Sequence, residues 1–112
     1  MRKLLVLALV GAVLAVLAAQ AFAATKSVKV GDNYFVRPKG VPTVSVRSGD
    51  TVVWRFQGSN AHTVAVKSGP AKFRSSARSS GTFREKLTRA GTYTIYCTIH
   101  GVKDQSMKLV VR

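Results

Sequence analysis

One cysteine, two histidines, one tryptophan and three prolines are all that 112 residues contain of these types, and 4 acidic residues face 18 lysines and arginines. A single cysteine rules out a disulfide within the chain, so a small exported domain built from it needs another stabiliser. Structural zinc usually takes four strong donors, often several of them thiolates, and one thiol with two imidazoles falls short of that. Tracts rich in methionine and histidine are absent, and so are internal repeats and low-complexity segments. After residue 23 no apolar run is long enough to cross a bilayer. Basic residues stand singly, as in Lys26, Lys29, Arg37, Arg47, Arg55, Lys67 and Lys108, without a run or interleaved stacking aromatics, which argues against nucleic acid as a partner.

The one long apolar run is at the start. Arg2-Lys3 precedes Leu4 to Ala19, and Gln20-Ala21-Phe22-Ala23 closes it with the small residues that a signal peptidase requires. Residues 1–23 are read as a signal peptide, and residues 24–112 as one domain of 89 residues, near the lower end of what folds alone. The protein is therefore expected to be exported, periplasmic or extracellular. If the leader is retained, the domain is held at the outer face of the membrane.

Removing Arg2 and Lys3 leaves 16 basic residues against 4 acids, a charge of +12 with histidines neutral. A field of that sign steers the domain toward acidic proteins, or toward anionic membrane and wall surfaces, in a salt-dependent way.

From residue 26 the hydrophobic pattern has period two, and its turn signals lie too close together for a helix of ordinary length. Val28 and Val30 alternate with lysines up to the Gly31-Asp32-Asn33 turn, and Tyr34-Phe35-Val36 follows as a short strand. Val44 and Val46 mark the next strand. Thr51 to Phe56 reads as a central strand with Val52, Trp54 and Phe56 on the core face and Thr51, Val53 and Arg55 on the other. Further strands are expected over 61–66, 82–87, 92–97 and about 107–112, with 67–81 the least regular stretch. Seven or eight short strands predict an all-β, two-sheet Greek-key sandwich.

The chemistry-bearing residues cluster in this pattern. Cys97 ends a strand in Tyr96-Cys97-Thr98-Ile99-His100, and His100 lies three residues on, in the following loop. His62 borders another strand, and sandwich loops gather at the poles, so all three side chains can meet at one end. One thiolate, two imidazoles and a weak fourth donor suit copper cycling between Cu(I) and Cu(II). Three-ligand zinc with an open water position is the competitor, and Asp104 is the one carboxylate near the motif that could serve it as a base. Gln105 and Met107 are the alternatives for the weak axial position.

Gly49-Asp50-Thr51-Val52-Val53-Trp54, Asn60-Ala61-His62-Thr63-Val64 and Gly91-Thr92-Tyr93-x-x-Tyr96-Cys97-x-x-His100 together resemble the plastocyanin- and azurin-type blue copper proteins, the cupredoxins. The resemblance covers nearly all of 24–112. It implies a cupredoxin-like sandwich holding one copper per chain, with His62, Cys97 and His100 as strong ligands. Family members place an axial Met eight residues after the Cys, which here is Gln105; Met107 has the expected type two positions late. Thr63 stands where relatives often carry Asn, and Ile99 replaces a frequent Pro. The implied role is single-electron transfer by a monomer that meets acidic redox partners transiently, and not enzymatic turnover. The alternative is an extracytoplasmic copper carrier or buffer.

Overall fold

A computed structural model describes residues 22–112; residues 1–21, with most of the expected leader, lie outside the described part. Eight strands follow one another: β1 (Thr25–Gly31), β2 (Tyr34–Phe35), β3 (Thr43–Val46), β4 (Thr51–Phe56), β5 (Ala65–Ser68), β6 (Thr82–Lys86), β7 (Gly91–Tyr96) and β8 (Ser106–Val111), with one helical turn, α1 (Gly101–Asp104), before β8. They form two four-stranded sheets, in the orders β2-β1-β4-β6 and β3-β8-β7-β5. β1 runs parallel to β4 and β3 parallel to β8, while the other neighbours are antiparallel. The parallel pairs join strands distant in sequence, so the chain passes repeatedly between sheets and ties them together.

Alternation explains the core. Val28, Val30, Val52, Trp54 and Phe56 project from the first sheet against Val44, Val46, Tyr93, Ile95, Met107, Leu109 and Val111 of the second. Trp54 is fully buried, its ring 5.8 Å from that of Phe73 and 5.9 Å from that of Phe83. The Tyr93 hydroxyl donates to the Arg89 carbonyl at 2.7 Å, pinning the turn that enters β7. Val53 departs from the expected alternation: it lies on the opposite face yet is only 1% exposed. Its register partners Ser27 and Arg84 flank it on both sides, because β4 is an inner strand.

The strand expected over 61–66 starts at Ala65 instead. His62 makes an isolated bridge with Arg78, exchanging both backbone hydrogen bonds at 3.0 Å. The next two amides go to side chains: Thr63 N–H donates to Cys97 Sγ at 3.4 Å and Val64 N–H to Ser75 Oγ at 2.9 Å. A ladder whose donors are diverted to side chains does not form until Ala65. The irregular stretch 67–81 includes the end of β5 and two isolated bridges, through Arg74 and Arg78.

Candidate metal centre

Cys97 is the first residue past β7, and the segment from 97 to 105 is folded back on it. Its N–H donates to the Gln105 carbonyl at 3.1 Å, and its carbonyl accepts from Gly101 N–H at 2.8 Å. Gly101 takes φ +84, in the left-handed region that glycine enters without a Cβ clash, and this begins the α1 turn. The turn brings His100 Nδ1 to 3.4 Å from Cys97 Sγ. Burial pushes the thiol pKa up, but the Thr63 and His100 amides, the His100 ring and the Ile99 amide outweigh it and lower the pKa to about 6. A thiolate is the form that binds metal.

His62 arrives from the loop between β4 and β5. Its ring is fully buried, with Nδ1 4.0 Å from Cys97 Sγ and Nε2 2.8 Å from Asp32 Oδ1. Asp32 occupies the two-residue hairpin between β1 and β2, where Asn33 takes φ 64, a conformation that asparagine tolerates. The Asp32 carboxylate also accepts N–H bonds from Ser59 at 3.0 Å and Asn60 at 3.1 Å. The bond to His62, then those amides, hold its pKa at about 2 against the opposing effect of burial. Burial lowers the pKa of His62, yet the Asp32 bond, helped by Cys97 and Gln105, leaves it above the ordinary histidine value.

Thr63 and Thr98 join the two ligand-bearing segments. Thr98 N–H donates to Thr63 Oγ1 at 2.8 Å, and the two hydroxyls also lie 2.8 Å apart. The hydroxyl at 63, where Asn is frequent in the family the sequence resembles, therefore bridges the two segments.

Gln105 and Met107 are both buried but differently placed. Met107 packs in the hydrophobic core cluster on β8. Gln105 Nε2 donates to the carbonyls of Gly31 at 2.9 Å and Tyr34 at 3.0 Å, while its Oε1 is buried without a partner. Two carbonyls facing one end of the amide require the NH2 group there, so the oxygen must point the other way. Gln105 also neighbours the His62 ring.

His62, Cys97 and His100 offer one donor atom each, all within 4.8 Å of one another, and the two imidazole centroids are 4.9 Å apart. One thiolate and two imidazoles at this spacing, with an unpartnered amide oxygen close by, fit copper by donor type. Two four-stranded sheets carrying this His-Cys-His cluster at one pole define a cupredoxin fold with a type 1 copper site. Solved structures of amicyanin share it: a Met-to-Gln variant in the Cu(I) state is 27% identical, covers 85% of this chain and 88% of its own, and superposes with a TM-score of 0.64. An oxidized Pro-to-Gly variant is 27% identical over 81% and 90% of the two chains, also at 0.64. A reduced Trp-to-Tyr variant gives 25% identity over 85% and 88%, at 0.65. No protein-family model matches the sequence.

The sequence reading missed Asp32 and Gly58. Asp32 reads as an ordinary turn residue, and its partner His62 lies 30 positions away. Gly58 reads as loop, yet a Cβ there would stand 2.3 Å from Asp32 Oδ1 and 3.0 Å from His62 Nε2. No local pattern announces either contact.

Proposed function

We propose that this chain is an exported type 1 copper protein that carries single electrons between redox partners. The observation that carries the reading is the convergence of His62, Cys97 and His100 at one buried pole. His62 Nδ1, Cys97 Sγ and His100 Nδ1 are the strong ligands. Gln105 Oε1 would supply the weak fourth donor, because it is a buried polar atom without a partner while Met107 already fills the core. Copper, when bound, supplies a one-electron couple.

The residues do the rest. The hydrogen-bonded segment 97–105 and the Thr63–Thr98 tie hold the donors in place, and burial of His62 and Cys97 keeps water away from them. His100 is half-buried between exposed Ile99 and Val102 and forms the edge at which a partner meets the site. Lys72 and Arg74 line a shallow hollow with Tyr96 and Thr98, which puts positive charge beside the Cys97 segment. That charge, on a domain of +12, favours brief docking of an acidic redox protein to a monomer. The same field draws the domain to anionic membrane or wall surfaces.

Cleavage of the leader after Ala23 would leave every strand of the described domain intact. The sheet begins one residue after Ala24, whose nitrogen already bonds Asp50. Periplasmic or extracellular residence follows from cleavage, and attachment at the outer membrane face from retention of the leader.

Adding Cu(II) to the purified domain tests the assignment. Intense visible absorption from a copper to thiolate bond, lost in Cys97→Ser, is expected; a colourless wild-type sample overturns it. Reversible voltammetry with fast electron exchange separates electron transfer from a copper carrier or buffer.

A further inference from the structure

Of the four acidic residues in this chain, Asp32 spends its charge on a residue of the metal centre. Its Oδ1 takes the Nε2 hydrogen of His62 at 2.8 Å, which fixes the tautomer and leaves the Nδ1 lone pair facing Cys97. The carboxylate is held from behind by the Ser59 and Asn60 amides, so its place does not depend on the imidazole alone. Gly58 makes room for it, since any side chain there would collide with Oδ1. Gln105 clamps the same hairpin from the other side through the Gly31 and Tyr34 carbonyls. An anchored carboxylate on the far nitrogen of a ligating imidazole makes that imidazole a stronger donor.

We propose that Asp32 is a positioning residue of the copper site whose negative charge, delivered through His62, holds the reduction potential down by favouring Cu(II) over Cu(I). This rests on the copper reading above. A neutral acceptor at the same place would orient the ring equally well, and only the full charge would discriminate between the oxidation states. In a domain carrying so large a positive excess, which by itself favours the reduced ion, a local anion is the direct means of opposing that bias.

Asp32→Asn tests this, because it keeps the shape and one acceptor oxygen, which can serve His62 Nε2 and the Asn60 amide as Oδ1 does, while removing the charge and the acceptor of the Ser59 amide. In the copper-loaded domain at neutral pH the visible band is expected to persist. The Cu(I) to Cu(II) affinity ratio should rise about tenfold, which for a one-electron couple is a potential higher by about 59 mV. Cu(II) should also leave to a chelator faster, in line with the roughly 10–100-fold losses seen when such outer partners are removed. Gly58→Ala, which crowds the carboxylate off the ring with every charge retained, is expected to move the potential the same way. Asp104→Asn, which removes a charge on α1 outside this contact, is expected to shift it less. In the metal-free protein, at a pH well above the raised His62 pKa, nitrogen NMR should show the neutral ring protonated at Nε2, with that preference weakened in Asp32→Ala.

An unchanged potential in a blue, folded Asp32→Asn overturns the proposal and leaves the copper assignment standing. An equal shift in Asp104→Asn also overturns it, since the effect would then be one of overall charge. A wild-type protein that never turns blue overturns the copper assignment itself.

Discussion

Thr63 and Thr98, each the residue immediately after a proposed ligand, are bonded through an N–H to hydroxyl contact of 2.8 Å, so that the loop carrying His62 and the segment carrying Cys97 cannot move independently. Thr63→Val keeps the shape and leaves the Thr98 amide without its acceptor. The expected cost is about 1–3 kcal/mol, the usual penalty for a stranded buried donor. Urea unfolding of the metal-free protein would measure it, and Thr63→Ser should recover most of the loss.

Gln105 and Met107 make opposite predictions. Gln105→Leu removes the proposed axial oxygen and should change the visible spectrum and raise the potential. Met107→Leu is a volume-conserving core change that should leave the spectrum alone and cost less than about 1.5 kcal/mol. A spectrum altered by the second and not by the first would reverse the axial assignment.

Asp50 contributes a pH-dependent share of the stability away from the metal centre. The amides of Ala24 at 2.8 Å and Arg47 at 2.8 Å hold its carboxyl below the ordinary 3.8. Because the folded-state pKa is the lower one, the stabilisation is complete above the unfolded value. It is lost as pH falls from there through the folded value. Asp50→Asn should therefore be less stable at neutral pH and lose less on acidification, as thermal melts of the metal-free domain between pH 7 and pH 2 would show. A chain starting at Ala24 presents an ammonium to this carboxylate in place of an amide, and should melt higher than one that keeps Phe22 and Ala23.

Trp54 is buried among aromatics with Nε1 unpartnered. Trp54→Ala should cost about 3–5 kcal/mol as a large-to-small core change. Trp54→Phe removes the stranded N–H and should cost distinctly less. Denaturant midpoints of the two variants check this ordering.

What is local was legible from residue order. The period-two pattern placed Val52, Trp54 and Phe56 of β4 and Tyr93 and Ile95 of β7 in the core, though not the burial of Val53, and the Cys97–His100 pair follows from a thiol ending a strand three residues before an imidazole in a tight turn. The identity of the soft donors was likewise legible, because this chain has so few. Tertiary structure alone decided which residues surround them. Asp32 meets His62 across 30 residues, Thr63 meets Cys97 across 34, and Gln105 reaches Gly31 across 74. Those pairings depend on strand order and register, including the late start of β5 at Ala65 and the two-residue turn of the β1–β2 hairpin. No propensity encodes them, since they come from how two sheets close over a shared core. The orientation of the Gln105 amide belongs to the same category: its sequence position left this open, and two backbone carbonyls from a distant hairpin fixed which way its oxygen faces.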